Sequence, residues 1–198
     1  MLCTREGLGP KSIRPRSISP THGARRGPVI ETPRLTLRPV QADDAPRLAV
    51  LASDIGVARM TRAMPHPYPR SAAETFVARA SEADFARHVV FAIDGEDGDL
   101  VGTLGFQVKN GPAPELGFWL GRPYWGKGYA TEAATGALDW VRDEWGKRYV
   151  VAGHFADNPG AGQVLINAGF LYTGEVQATT SRARGGAEAA NRMMVWLA

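Results

Sequence analysis

The chain has 198 residues, 44% of them hydrophobic and 22% charged, which suits a soluble globular fold with a substantial core and a tail. No apolar run approaches the roughly 18 residues of a membrane helix; the single cysteine, Cys3, excludes an internal disulfide framework and a multi-cysteine zinc site and makes a reducing cytoplasm the default. The net charge of +3 is unevenly spread: six bases and one acid fall in residues 1–27, leaving 17 bases against 19 acids elsewhere, so the rest of the chain has no nucleic-acid footprint.

Residues 1–28, rich in Pro, Gly, Ser and Arg, read as a disordered basic extension, and 29–198 as a single domain. A solvated tail and a basic arm for anionic partners both fit the extension. Residues 35–38 alternate apolar and polar and predict a strand that ends at Pro39. Residues 41–44 open a helix carrying Leu48, Val50 and Leu51. Three prolines make 64–69 a loop. Ser71 and Glu74 have the spacing of a capping box on a helix reaching about Arg87.

Residues 89–93 and 100–108 predict two strands, and the Asp/Gly-rich stretch 94–99 joins them as a hairpin. A fourth strand covers 115–120. Ala130, Ala133, Ala134, Ala137, Leu138 and Val141 then mark one buried face of a helix over about 131–145. A fifth strand covers 149–152 and extends towards 155. Asn158 caps a short helix with Gly169 just past its end. Residues 170–176 and 193–197 give the last strands. The pattern is a mixed α/β domain around one sheet.

Between the fourth strand and the long helix lies Trp125-Gly126-Lys127-Gly128-Tyr129-Ala130. A glycine-rich loop at a helix N-terminus gathers backbone N–H groups at the positive end of the helix dipole, which suits a phosphate or pyrophosphate. A Walker loop requires a hydroxyl after the lysine, and Gly128 stands there. A dinucleotide fingerprint requires a third glycine near the first strand; Thr131 stands in its place, past mid-chain.

The chain resembles the GNAT superfamily of acyl-CoA-dependent N-acetyltransferases, and within it the RimJ/RimL-type branch. The residues that carry this are Glu31-Thr32-Pro33-Arg34-Leu35-Thr36-Leu37-Arg38, Glu115-Leu116-Gly117-Phe118-Trp119-Leu120, the stretch from Trp125 to Ala133, and Asn158 through Gly169-Phe170. Together they cover about residues 30–198 in order. The resemblance implies a mostly antiparallel central sheet flanked by helices and splayed between the fourth and fifth strands. It implies acetyl-CoA as cosubstrate and a primary amine as acceptor, with no metal.

By the same resemblance, amides around Gly126, Lys127, Gly128, Tyr129, Ala130 and Thr131 would hold the pyrophosphate. Main-chain groups of Phe118 and Leu120 would pair with the pantetheine arm. Asn158 would hydrogen-bond the cofactor while also capping its helix. Trp125 stands where the family carries Gln or Arg.

Acetyl transfer to an amine needs a base, an oxyanion donor and a leaving thiolate. Glu115 is the leading base and His154 a second. A backbone N–H near Leu120 is the expected oxyanion donor. The family's usual acids are replaced by Leu165 and Ala161; Tyr172 is one substitute, and water or the leaving thiolate itself is the other option. Deprotonating an α-amine at pH 7 costs about 1.4 kcal/mol and a lysine amine about 4.6 kcal/mol, which tilts the acceptor towards a peptide N-terminus or a small low-pKa amine. Ribosomal-protein N-termini, an antibiotic, a polyamine and a free amino acid all stay open, and a homodimer is compatible with the sequence. The acceptor pocket is expected from the first helix pair, the 64–69 loop with His66, and residues 181–188, where Arg182 and Arg184 would meet an acidic acceptor. The alternative is an acyl-CoA-binding regulator of this fold with weak or no catalysis.

Overall fold

A computed structural model describes residues 27–109 and 111–198; nearly all of the predicted basic extension lies outside the described residues. Eight strands form one sheet in the order β1-β2-β3-β4-β5-β6-β8-β7. They are β1 (Ile30–Glu31), β2 (Thr36–Pro39), β3 (His88–Asp94), β4 (Leu100–Val108), β5 (Pro114–Leu120), β6 (Tyr149–Phe155), β7 (Leu171–Thr180) and β8 (Glu188–Leu197). Every pairing is antiparallel except β5 with β6. The helices are α1 (Ala45–Ala52), α2 (Ile55–Ala58), α3 (Arg70–Glu82), α4 (Tyr129–Asp143) and α5 (Pro159–Asn167).

The predicted strands and long helices are all present, and two small elements join them. Residues Ile30 and Glu31 pair with Leu37 and Thr36 as a short hairpin, and Ile55–Ala58 adds a helical turn. The predicted Ser71–Glu74 capping box does not form. Pro69, extended at ψ 156°, occupies the cap position, so α3 begins at Arg70 and Glu74 pairs with Arg70 at 2.9 Å instead. The same helix stops at Glu82, short of Arg87, because Ala83 is extended and the Asp84 carbonyl accepts from Arg87 and His88 in a turn into β3. On α1, Leu48 and Leu51 are buried and Val50 is exposed.

Two cores lie on opposite faces of the sheet. The apolar stripe of α4, with Ala133, Ala134, Ala137, Leu138 and Val141, packs over Phe91, Leu104, Phe106 and Leu116. On the other face, Leu48 of α1 and Val77 of α3 pack with Tyr68 and Ala92. Alternation along β5 therefore sends Leu116, Phe118 and Leu120 towards α4, and Glu115, Gly117 and Trp119 to the α1/α3 face.

The parallel contact of β5 with β6 is limited to Glu115 with Val151 and Leu116 with Ala152. Beyond Leu116 the strands part, while β5 stays paired with β4 through Leu120. This is the splay expected between the fourth and fifth predicted strands.

Candidate active site

The glycine loop forms as its residues require. A 3-10 turn at Arg122–Tyr124 follows β5, and then Gly126 (φ 73°) and Gly128 (φ 80°) take left-handed conformations that only glycine adopts without strain. Helix α4 starts at once; its first bond runs from Glu132 N–H to the Gly128 carbonyl at 3.0 Å. Among the described residues, no protein acceptor is found for the amides of residues 126–131. Six consecutive N–H groups without an acceptor among the described residues, at the positive end of a 15-residue helix, are an arrangement that can receive a diphosphate through main chain.

Residues far away in sequence brace this loop from behind. Glu132, in the first turn of α4, accepts from Thr32 Oγ1 (2.8 Å), Arg34 N–H (2.7 Å) and Arg34 Nε (2.8 Å). Arg34 Nη1 also donates to the Lys127 carbonyl at 3.0 Å. Burial alone would push the Glu132 carboxyl up, but hydrogen bonds from Thr32 and Arg34 and the Arg34 charge outweigh it and hold it below its ordinary value. The Lys127 side chain lies over the Tyr124 ring at 5.5 Å, and the Tyr129 hydroxyl meets Glu96 at 3.0 Å, so both residues offer the loop their backbone. Trp125 turns its indole onto β5, donating to the Leu120 carbonyl at 2.8 Å.

From the loop, a cleft of about 1450 Å³ runs along the split between β5 and β6. Gly121 N–H bonds the Val101 carbonyl of β4 in register with the ladder, so the odd-numbered residues of β5 face β4. The main-chain groups of Phe118 and Leu120 consequently face the open edge. The Leu120 carbonyl is taken by Trp125, which leaves the Leu120 N–H and both groups of Phe118. No atom lies within 4 Å of the position a Cβ would take at Gly117, so the strand is open on that side as well. Asn158 lines the cleft from the start of α5; its Oδ1 accepts from Ala161 N–H at 3.2 Å, and its Nδ2 donors have no protein acceptor among the described residues.

The far end of the cleft has a polar floor. Cross-strand register sets His88, Gln107 and Glu115 in one row on β3, β4 and β5. Glu115 is held on both oxygens, Oε1 by Arg62 and Oε2 by Lys109 at 3.0 Å. Burial, and after it the charge of Lys109, lowers the His88 imidazole from its ordinary value. The 64–69 loop contributes Met64, Pro65 and Tyr68 to the wall, as expected, but the exposed His66 is not part of the lining.

The other two proton-transfer candidates meet each other. His154, buried on β6, lines the cleft; its Nδ1 lies 2.9 Å from the Phe155 carbonyl, so Nδ1 carries the proton and Nε2 accepts the Tyr172 hydroxyl at 2.9 Å. Tyr172 itself stands outside the lining. A Cβ at Gly162 would come within 2.8 Å of His154 Nε2 and 3.0 Å of the Tyr172 oxygen, so α5 can cover this pair only with glycine there.

Arg184 is not available to an acceptor. It holds both oxygens of Asp157 at 2.9 Å, donates to the Arg59 carbonyl at 2.8 Å and lies over Phe155, clamping the β7–β8 turn to α2. Arg182 does line the cleft. Sequence reading missed Arg62, Lys109 and His88, whose approach to Glu115 depends on sheet register and loop packing.

Residues 34–171 match the family pattern of an acetyltransferase (GNAT) domain, more than half of the chain. The chain belongs to the GNAT acetyltransferase family. Among curated proteins it is similar to the uncharacterized N-acetyltransferase p20 of Bacillus licheniformis, 33% identical over 115 residues. That alignment spans 55% of this chain and 63% of the relative, under two thirds of its length. A GNAT-family acetyltransferase from Bacillus anthracis shares the fold at a TM-score of 0.75 and 21% identity, over 85% of this chain and 98% of that one. RimJ of Mycobacterium smegmatis, in complex with CoA-disulfide, does so at 0.73 and 22% identity, over 87% of each chain. No helix among the described residues is long and apolar enough to cross a membrane.

Proposed function

We propose that this chain is a cytoplasmic acetyl-CoA-dependent N-acetyltransferase in which a primary amine, a peptide N-terminus or a small-molecule amine, attacks the thioester directly. The single observation that carries this reading is the run of six free amides at 126–131, opening onto the unpaired edge of β5. RimJ, solved with CoA-disulfide, supports the choice of cofactor. Acetyl-CoA supplies an activated acyl group and a thiol leaving group with a pKa of about 8.5, good enough to leave without a dedicated protein acid.

The chain's residues divide the remaining work. Amides from Gly126 to Thr131, with Trp125 bracing them, hold the diphosphate. Phe118 and Leu120 main-chain groups bind the amide-bearing arm as an added strand would, and Asn158 Nδ2 donates to it. The Leu120 N–H is the candidate oxyanion donor. Glu115 takes the proton released by the amine, directly or through water; a carboxylate offers about four lone-pair sites, and its two cations occupy two of them. Both nitrogens of His154 are engaged, so Tyr172 acts through His154 to position the β6 wall.

The doubly paired Glu115, with Leu165 and Ala161 at the usual acid positions, favours one second reading, an acyl-CoA-binding regulator of the same fold. Calorimetric titration with acetyl-CoA alongside a thiol-release assay over an amine panel separates them. Binding with turnover is expected; binding without turnover of any amine supports the regulator, and no binding overturns both.

A further inference from the structure

The acceptor end of the cleft is strongly electropositive. Its lining carries Arg62, Arg79, Lys109 and Arg182 against a single acid, Glu115. That acid is already matched by Arg62 and Lys109. Arg79, on the exposed side of α3, and Arg182, in the turn between β7 and β8, form no ion pair among the described residues. Asp157, next to the lining residue Asn158, is consumed by Arg184 at 2.9 Å and Arg59 at 3.4 Å. The His88 imidazole, lowered from its ordinary value by burial and by Lys109, brings no negative charge to offset these cations.

A cleft with four cations and one paired acid repels an oligocation and draws in an anion. Guanidinium groups bind carboxylate and phosphate through paired N–H donors, so arginines that line the cleft without an ion pair among the described residues suit either group. An acceptor whose only charges are ammonium groups would find one carboxylate, and that one occupied.

We infer that the acceptor is an amine bearing a carboxylate or phosphate close to its reacting nitrogen, with Arg79 and Arg182 holding that anionic group. This rests on the acetyl-transfer reading and adds the acceptor class; within it, polyamines are excluded.

The test uses the full chain, acetyl-CoA and matched amines in a thiol-release assay. Glutamate and O-phosphoserine are the carboxylate-rich and phosphate arms, alaninamide the neutral amine and spermidine the oligocation. The expected result is a kcat/KM for at least one anionic amine about 10-fold or more above alaninamide, shrinking with added salt, and no turnover of spermidine. The double variant Arg79→Glu/Arg182→Glu should erase that preference while calorimetric affinity for acetyl-CoA stays unchanged. Equal or better turnover of alaninamide or spermidine overturns the inference and leaves acetyl transfer standing, as does a preference that survives the charge reversal. Loss of acetyl-CoA binding by the unmodified chain, or binding with none of the amines turned over, overturns the acetyl-transfer reading itself and this inference with it.

Discussion

The indole Nε1 of Trp125 donates to the Leu120 carbonyl at 2.8 Å. This bond ties the glycine loop to the last residue of β5, joining the two parts of the candidate cofactor cleft. Where the family carries Gln or Arg, this chain has a brace. Trp125→Phe keeps an aromatic ring and removes the donor. One net hydrogen bond is worth about 1 kcal/mol, and about 5-fold in affinity. The KM for acetyl-CoA should rise by that factor with kcat retained; steady-state kinetics checks it, and a fall in kcat with KM unchanged would detach the indole from cofactor binding.

Glu115 stands at the β5–β6 junction with a cation on each oxygen. If it takes the amine's proton, Glu115→Gln should lower kcat at pH 7 by about 100-fold and leave acetyl-CoA affinity alone. The deficit should narrow as pH rises and the amine deprotonates by itself. Turnover that stays undiminished across pH removes Glu115 from proton transfer.

Gly162 admits no side chain without displacing the His154–Tyr172 pair. Gly162→Ala should destabilise the fold by about 1–3 kcal/mol through forced rearrangement. For a chain of this size that is a drop in Tm of roughly 2–4 °C per kcal/mol. A thermal melt identical to the parent's would mean the two rings yield freely.

Glu132 couples the β1–β2 hairpin to the loop, and its carboxyl is held below its ordinary value. Such a group stabilises the fold above its unfolded pKa of about 4.3 and loses that contribution as pH falls through the lower folded value. Glu132→Gln should therefore melt below the parent at pH 7, with the gap closing on acidification below about pH 4.3. A gap independent of pH would assign the loss to packing.

Most of the candidate cofactor side, as a glycine loop feeding a helix, was legible in the sequence because its signals are local. Gly126 and Gly128 mark left-handed positions, and the alanine stripe of α4 marks the helix they feed. The open edge of β5 came from resemblance, and strand register then showed which of its residues face the cleft. The acceptor side was hidden for a physical reason. Arg62 reaches Glu115 from 53 residues away, through packing that no periodicity encodes; the Arg34–Glu132 brace behind the glycine loop, 98 residues apart, was hidden in the same way. The hairpin β7–β8 is longer than expected because residues 177–180 and 188–192, made of Gln, Ala, Thr, Glu, Asn and Arg, show no apolar alternation. Arg184 looked like a substrate group for the same reason; its partner Asp157 is adjacent only in the fold.

In the proposed enzyme, main-chain nitrogens between Trp125 and Thr131 hold the cofactor's diphosphate. Calorimetric titration of CoA into the parent chain and into Gly128→Trp tests it most directly, with Gly146→Ala as control, since Gly146 is also left-handed (φ 68°) and lies at the opposite end of α4. The parent and the control should bind, and Gly128→Trp should lose about 100-fold or more in affinity, roughly 3 kcal/mol, with its circular dichroism intact. Equal CoA affinity in all three proteins would contradict it.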